Sequence, residues 1–340
     1  MSCFVIAEAG VNHNGDIQLA KELVHAAKEA GADAVKFQTF KADTIVTKAA
    51  EKAEYQKNNA SNSSTQHEML KNLELSEEAH YQLSDLAAAL GIEFMSTGFD
   101  EGTIDFLIAL GVKRLKIPSG EITNIPYLEH VARTGLPLII STGMCDLEEV
   151  RQAVETVSPF YGEHIKEKLT LLHCTSNYPA LFQDVNLKAM HTLAQEFNLP
   201  VGYSDHTLGL LVPTLAVGMG ACVIEKHFTL DKSLPGPDHN ASMTPEEMKQ
   251  MMQAIRDAEL ALGNGIKKPA DNELPIRALV RRSLTLRHAL TKGTRISKDD
   301  LILLRPGFGI SPAELPKVIG AKVSLNLPEG STLLWDYIEA

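Results

Sequence analysis

Short apolar runs alternate with amphipathic helical segments along about the first 260 residues. Asp16, Asp100 and Asp146 each precede a segment with apolar residues at helical spacing, and Thr244-Pro-Glu-Glu247 forms a capping box with proline at the first helical position. The eight apolar runs predict buried strands at Cys3–Ala7, Ala34–Phe37, Ile92–Ser96, Arg114–Ile117, Leu136–Ser141, Leu169–His173, Pro200–Tyr203 and Cys222–Glu225. Eight strand–helix units favour an α/β TIM (β/α)8 barrel over an open doubly wound sheet. No GxGxxG or P-loop motif follows the first run, which argues against nucleotide binding.

The regular pattern ends near Gly263, where a polar stretch with glycine and proline begins. Short apolar pieces separated by turn signals follow from about Ser283. We therefore predict a catalytic barrel over residues 1–262, a linker over 263–282 and a small β-rich domain over 283–340. Within the barrel, Lys41–Asn72 is long for a strand-to-helix connection and contains the polar stretch Asn58–Thr65, which predicts a lid over the barrel mouth.

The composition is that of a globular enzyme of 340 residues, with 44% hydrophobic residues. A formal net charge of −11 argues against nucleic acid as a partner, because phosphate-backbone binding needs a basic face. We expect no membrane association, because no apolar run reaches the roughly 18 residues of a spanning helix, and the first residues lack the basic start of a signal peptide. The cytoplasm is the expected location. The four cysteines are scattered singly, so we expect reduced core residues rather than disulfides or a zinc site.

Polar residues follow every predicted strand, at the end where barrel enzymes build their active sites. Any one of these residues alone would more often be a loop cap or a structural histidine. Together they form a ring of Glu8, Lys36, Gln38, Thr97, Lys116, Ser119, Glu121, Ser141, Thr142, Thr175, Ser176, Ser204, Asp205, His206, Glu225 and His227. Two lysines with several hydroxyls suit a phosphate and a carboxylate, and the pair His206 and His227 suits a divalent metal. The ring predicts a metal-assisted enzyme for a small anionic substrate.

Eight ordered motifs carry a family resemblance. They are Glu8-Ala-Gly-Val-Asn-His-Asn-Gly15, Val35-Lys-Phe-Gln-Thr39, Lys116-Ile-Pro-Ser-Gly-Glu121, Ser141-Thr-Gly-Met144, His173-Cys-Thr-Ser-Asn-Tyr-Pro179, Tyr203-Ser-Asp-His206, Glu225-Lys-His-Phe228 and Gly236-Pro-Asp-His239. The chain resembles the sialic acid synthases over essentially its whole length. Its last sixty residues or so, with Leu304-Arg-Pro-Gly307 and Val318-Ile-Gly320, resemble the antifreeze-like SAF domain, a β-clip fold, that follows the barrel in that family.

The resemblance implies condensation of phosphoenolpyruvate with an N-acylated mannosamine-type aldose, with phosphate released by C–O cleavage. It assigns His206 and His227 to a divalent metal, Mn²⁺ first and Mg²⁺ or Co²⁺ as alternatives. The positions that match phosphate-binding residues are Lys116, Ser119, Ser141, Ser176 and Ser204. Lys36 and Thr97 match positions near the carboxylate. The positions that match residues around the aldose are Glu8, Glu121, Tyr178 and Asp238, and Gln38 is a further candidate for binding substrate. The candidate catalytic residues are Glu8, Lys116, Glu121 and Asp238.

Three alternatives accompany the leading prediction of an N-acetylneuraminate synthase acting on N-acetylmannosamine. The same scaffold also makes legionaminic acid from 2,4-diacetamido-2,4,6-trideoxymannose, and the motifs do not separate the two sugars. Related pentose- or tetrose-phosphate condensing synthases are more remote, because they need a second phosphate site. A non-catalytic ice- or polysaccharide-binding role is disfavoured, since Ser283–Ala340 has no Thr-rich repeat. The resemblance further implies a domain-swapped homodimer in which Arg305 reaches the active site of the neighbouring subunit.

Overall fold

A computed structural model describes residues 2–52 and 65–339. By its internal contacts the chain divides into two compact units, one ending at Gly263 and the other beginning at Asn264. The first unit is a closed parallel barrel of eight strands, each hydrogen-bonded to the next and β8 to β1. The strands are β1 Phe4–Gly10, β2 Ala34–Thr39, β3 Glu93–Gly98, β4 Leu115–Ile117, β5 Leu138–Ser141, β6 Leu169–Cys174, β7 Val201–Asp205 and β8 Val223–His227. The predicted barrel and the order of its eight strands are confirmed.

Helices surround the strands, and the four helices whose starts the sequence predicted begin after a residue whose side chain caps them. Asp16 accepts a hydrogen bond from the backbone of Gln18, and Asp100, Asp146 and Thr244 each form a reciprocal capping box. The helices of the first unit are α1 Ile17–Glu29, α2 Ala42–Ile45, α3 Gln66–Lys71, α4 Glu77–Leu90, α5 Glu101–Leu110, α6 Ile125–Arg133, α7 Leu147–Tyr161, α8 Ile165–Lys168, α9 Ala189–Phe197, α10 Leu211–Gly218 and α11 Pro245–Leu262. No helix among the described residues has the length and apolar character needed to cross a membrane.

The barrel interior changes from apolar to polar along each strand. Its lower part is a separate cluster of buried side chains, one from each of six strands: Ile6, Ala34, Met95, Ile139, Leu172 and Val223. Because side chains repeat every two residues along a strand, the next inward positions are two residues further on. These positions are occupied by Glu8, Lys36, Thr97, Ser141, Cys174 and Glu225. The interior therefore closes as a packed core below and carries polar side chains at the carboxyl end of the strands.

The second unit is β-rich, as predicted, and has its own small core. Strands β9 Ser283–Leu286 and β10 Leu301–Leu304 pair antiparallel, as do β11 Lys322–Val323 and β12 Ile338–Glu339. The core consists of Leu284, Leu286, Leu290, Ile296, Leu301, Ile310, Val318, Val323, Leu327 and Leu333. Two helices complete the unit, α12 Glu273–Val280 and α13 Leu315–Val318. Helix α12 lies within the stretch that the sequence predicted as a linker.

The predictions for the lid and for the four cysteines agree with the structure only in part. The proposed lid, Lys41–Asn72, includes α2 and α3, but most of its polar stretch falls in residues 53–64, outside the described residues. The four cysteines are free, as expected, and Cys3 and Cys174 are buried. Cys222 is exposed, however, so the prediction of a core position is wrong for this residue. It stands immediately before β8, where the chain enters the barrel from the surface.

Candidate active site

A cavity of about 520 Å³ opens at the carboxyl ends of the barrel strands. The polar residues that line it are Glu8, Lys36, Gln38, Gln66, Thr97, Lys116, Ser119, Ser141, Ser176, Tyr178, Ser204, His206, Glu225, His227 and Asp238. Strand register brings them together, since Glu8 pairs with Lys36 on one side and with His227 on the other. Thr97 pairs with Lys116 in the same way. The cavity is the place where a barrel of this kind holds its substrate.

Four buried charges form a connected chain across the cavity floor. Lys36 Nζ lies 2.6 Å from Glu8 Oε2 and 3.6 Å from Glu225 Oε2. Lys116 Nζ lies 3.5 Å from Glu225 Oε1, so Glu225 stands between the two lysines. The lysines also donate hydrogen bonds to hydroxyls, Lys36 to Thr97 at 2.8 Å and Lys116 to Ser141 at 2.7 Å. Charges that are buried and paired in this way hold their side chains in fixed positions before any substrate arrives.

The four groups differ in how firmly they hold a proton. Burial favours the neutral form of Glu225, but Lys116 and Lys36 outweigh it and hold the pKa of that carboxyl well below its usual range. Burial raises the pKa of Glu8, and the neighbouring Lys36 offsets only part of that rise. Burial lowers the pKa of Lys116. Burial acts in the same direction on Lys36, but Glu225 and Glu8 outweigh it and raise the pKa of Lys36. Of the two carboxyls in this chain of charges, Glu8 is thus better suited than Glu225 to take up and release a proton.

A hydroxyl-lined corner adjoins Lys116. Ser119 Oγ accepts a hydrogen bond from the backbone N–H of Gly143 at 2.9 Å. A β-carbon on Gly143 would stand 2.2 Å from Ser176 Oγ and 2.8 Å from Ser119 Oγ, distances that no real contact has. Glycine is therefore needed for the two hydroxyls to approach this backbone. One lysine with several hydroxyl and backbone donors matches the requirements of a phosphate group.

Two histidines face each other across the ends of β7 and β8, with ring centroids 5.3 Å apart. His206 Nδ1 lies 2.7 Å from the carbonyl oxygen of Thr175, which only accepts hydrogen bonds, so this nitrogen carries the proton and Nε2 keeps a free lone pair. His227 Nδ1 is buried without a hydrogen-bond partner. Burial holds the pKa of His227 well below its usual range, so the ring is neutral. Burial opposes the charged form of His206, but Cys174 and the carbonyl of Thr175 outweigh it and raise the pKa of that ring. In their neutral forms the two imidazoles each offer a nitrogen lone pair, and two such nitrogens fit a divalent metal.

Tyr178 and Asp238 stand beside the histidine pair. The Tyr178 ring lies 4.1 Å from the His206 ring and 5.3 Å from the His227 ring, centroid to centroid. Burial raises the pKa of Asp238 to about 6. Among the described residues, no group of three His, Cys, Asp or Glu side chains is arranged to hold a metal. Any metal held by the two histidines would therefore take its remaining ligands from water or substrate.

All the predicted site residues line this cavity except two. Glu121 lies in the 3-10 turn Ser119–Glu121, is half-buried, and accepts a hydrogen bond from Asn124 at 2.8 Å, so its side chain is engaged outside the cavity lining. Ser119 of the same turn lines the cavity, and the role predicted for Glu121 at the substrate stays a prediction. Arg305 belongs to the second unit, where it follows β10.

Some cavity residues received no role from the sequence. Glu225 was placed in the polar ring without an assignment, and Cys174 was counted among the core residues. Both follow an interior apolar residue by two positions, and this alternation was the available signal. The apolar members Val11, Met69, Leu70, Leu73 and Phe99 were not anticipated, because no local pattern distinguishes them from core residues.

Comparison with known proteins agrees with this architecture. The model of the NeuB family matches residues 23–267, and the model of the SAF domain matches residues 281–339. An N,N'-diacetyllegionaminic acid synthase of Legionella pneumophila is 76% identical over 340 residues, which cover 100% of this chain and 96% of that protein. A protein of the same name from Campylobacter jejuni is 46% identical over 325 residues, covering 96% of this chain and 97% of the relative.

A solved structure gives the same result for the fold. The crystal structure of N-acetylneuraminic acid (sialic acid) synthetase from Leptospira borgpetersenii, in complex with citrate, superposes with a TM-score of 0.71. It is 34% identical and covers 81% of this chain and 90% of its own. The family model and the relatives extend over most of the chain, and the resemblance noted in the sequence is confirmed. The chain belongs to the NeuB family and carries an SAF domain after its barrel.

Proposed function

We propose that the protein is an N,N'-diacetyllegionaminic acid synthase. It joins phosphoenolpyruvate to 2,4-diacetamido-2,4,6-trideoxymannose, with water as the third reactant and phosphate as the second product. The observation that carries this proposal is 76% identity over the whole chain to a synthase of that name, against 34% to a sialic acid synthetase. Of the two sugars that the motifs left open, the alternative is therefore better supported than N-acetylmannosamine, the leading prediction.

Different residues of the cavity bind the two ends of phosphoenolpyruvate. Lys116, with the hydroxyls of Ser119, Ser141, Ser176 and Ser204, binds the phosphate group. Lys36 and Thr97 bind the carboxylate at the other end of phosphoenolpyruvate. This orientation places the methylene carbon toward the histidine pair, where the aldehyde of the sugar must lie for the new C–C bond to form. Both lysines form ion pairs with Glu225, and these ion pairs hold the two ammonium groups in position.

His206 and His227 would hold a divalent metal, with Mn²⁺ as the first candidate and Mg²⁺ or Co²⁺ as alternatives. When bound, such a metal polarises the aldehyde oxygen and makes its carbon a better electrophile. Glu8 and Asp238 are the two carboxyls whose pKa burial raises, so either can transfer a proton to or from a sugar hydroxyl or the incoming water. Gln38 donates to Glu8 Oε1 at 3.2 Å and holds that carboxylate in place.

We further propose that the active unit is a cytoplasmic, domain-swapped homodimer. The partner subunit's Arg305 would donate hydrogen bonds to the sugar, a contact that a guanidinium makes well. Mixing inactive Arg305→Ala protein with inactive His206→Ala protein tests the arrangement. Exchanged dimers should regain one complete site, because each chain supplies what the other lacks. Proven subunit exchange without recovered activity would overturn the swapped arrangement.

The proposed reaction is tested by phosphate release with phosphoenolpyruvate and a panel of N-acylated hexosamines. We expect divalent metal to be required and 2,4-diacetamido-2,4,6-trideoxymannose to give the highest kcat/KM. Mass spectrometry of the product should show the sugar extended by three carbons. A higher kcat/KM with N-acetylmannosamine would return the assignment to a sialic acid synthase, and no phosphate release with either sugar would overturn the reaction class.

A further inference from the structure

The cavity has one apolar side that the chemistry of phosphoenolpyruvate does not require. Val11 follows β1, Phe99 follows β3, and Met69, Leu70 and Leu73 come from α3 and the residues after it. We call these five residues the apolar wall. They pack with Phe40 into a cluster of their own, in which the Phe40 and Phe99 rings meet edge to face at 6.0 Å. The wall is therefore preformed.

One polar side chain stands at the edge of this wall. Gln66, the first residue of α3, lines the cavity and is half-buried. Within the described part of the chain, its side-chain amide makes no hydrogen bond to protein. A primary amide offers both a donor and an acceptor, and Leu70 lies one helical turn further along the same face. Helix α3 thus presents an amide and apolar side chains together to the cavity.

An acetamido group carries the complementary chemistry. Its N–H and C=O match the amide of Gln66, and its methyl group matches an apolar surface. A hydroxyl would match the wall poorly, because a hydroxyl buried there loses its hydrogen bonds to water. In the proposed function phosphoenolpyruvate occupies the cavity floor, with its phosphate at Lys116 and its carboxylate at Lys36 and Thr97. The wall residues lie further toward the mouth, since Phe99 comes after the end of β3 and Val11 after the end of β1. The wall therefore faces the part of the cavity that remains for the sugar.

The proposed sugar has two acetamido groups, on carbons 2 and 4, and the position of its aldehyde indicates which of them reaches the apolar wall. The aldehyde carbon must lie beside His206 and His227, so the group on the adjacent carbon stays near those residues. Helix α3 comes between β2 and β3 in the chain and Phe99 follows β3, and these two strands do not pair with β7 or β8. We therefore place the distal carbons of the sugar at the wall. We infer that Gln66 and the apolar wall form the subsite for the acetamido group on carbon 4, an inference that rests on the proposed function.

Two sugars that differ only at carbon 4 test this subsite. They are 2,4-diacetamido-2,4,6-trideoxymannose and 2-acetamido-2,6-dideoxymannose, compared by their kcat/KM with the native enzyme and with Gln66→Leu and Leu70→Asn. In each variant we expect the preference for the diacetamido sugar to fall by about tenfold or more, the size of effect that a lost buried contact produces. The KM for phosphoenolpyruvate should stay unchanged.

Matched variants separate recognition from folding. Glu68→Gln lies on the exposed face of the same helix and does not line the cavity, so it should keep the full preference. Leu70→Met keeps the apolar surface and should keep the preference as well. An equal loss for both sugars in Gln66→Leu and Leu70→Asn, or an unchanged preference, would overturn the subsite. If the native enzyme turns over neither sugar, it is the proposed function that fails, before any variant is compared.

Discussion

Lys226 and Asp205 form an ion pair that is almost completely buried, with Nζ and Oδ2 2.6 Å apart. Each residue is the chain neighbour of one of the two histidines, Asp205 of His206 and Lys226 of His227. Asp205 also accepts hydrogen bonds from the backbone N–H and the hydroxyl of Thr207, at 3.0 and 3.1 Å, and Lys226 donates to the carbonyl oxygen of Thr207. The pair fastens the ends of β7 and β8 together behind the cavity, and so it positions both imidazoles.

We expect Lys226→Met to lower the free energy of unfolding by about 3–5 kcal/mol, because it leaves the Asp205 carboxylate buried without its counter-charge. The chain offers a matched control in Lys232 and Glu247, whose atoms are also 2.6 Å apart but whose side chains are about one-third exposed. Lys232→Met should cost less than about 1 kcal/mol. Urea denaturation of both variants measures the difference, and equal losses would contradict the role assigned to burial.

Gly143→Ala should weaken the binding of phosphoenolpyruvate while leaving the barrel folded. The added methyl group would displace the hydroxyls of Ser176 and Ser119, and Gly143 has no positive φ that alanine would strain. Losing one or two hydrogen bonds to a charged group corresponds to a rise in the KM for phosphoenolpyruvate of about tenfold or more. Gly218→Ala is the control, since its β-carbon would meet open space, its φ is not positive and it does not line the cavity. Similar KM values in the two variants would remove Gly143 from the phosphate site.

His206→Ala and His227→Ala should each abolish metal-dependent turnover. We expect Mn²⁺ to raise the Tm of the native protein by binding the folded state, and both variants should lose that rise. His173→Ala serves as a control, because His173 Nε2 donates a hydrogen bond to the carbonyl oxygen of Val185 at 2.7 Å and does not line the cavity. A variant that retains both near-normal turnover and the Tm shift would show that its histidine is not a metal ligand.

Acid should destabilise the protein through His13. Burial, with a smaller contribution from His80 and His239, lowers the pKa of His13 to about 4 in the folded chain. The unfolded chain takes up that proton near pH 6.5, so the unfolded state binds more protons between about pH 6.5 and 4 and stability falls as the pH falls through this window. The loss has an upper bound of roughly 3 kcal/mol, since one pKa unit corresponds to about 1.4 kcal/mol.

The variant His13→Asn isolates this effect. His13 Nδ1 accepts a hydrogen bond from the backbone of Gly15 at 3.0 Å, and an asparagine side-chain oxygen can accept the same bond. The free energy of unfolding of this variant should depend less steeply on pH between about 6.5 and 4 than that of the native protein. Identical slopes would assign the acid sensitivity to other buried groups.

Local sequence patterns were sufficient to predict the barrel. Strands such as β1 and β5 contain short apolar runs, and helices such as those after Asp100 and Asp146 begin at capping residues that act within one turn. Both signals depend on neighbours along the chain, so they can be recognised from the sequence alone. The position of polar residues at the carboxyl end of a strand was likewise enough to predict that Lys36, Lys116 and the two histidines lie at the mouth of the barrel.

The tertiary structure alone decided how these residues interact. Glu225 bridges Lys36 and Lys116 because β8 closes against β1, a contact between residues more than 200 positions apart in sequence. Ser119 lines the cavity whereas Glu121, two residues further along the same 3-10 turn, does not, a difference that the apolar pattern of the strand does not encode. The apolar wall likewise exists only where three separate segments meet. Contacts between distant segments depend on barrel closure and register, which local patterns do not encode.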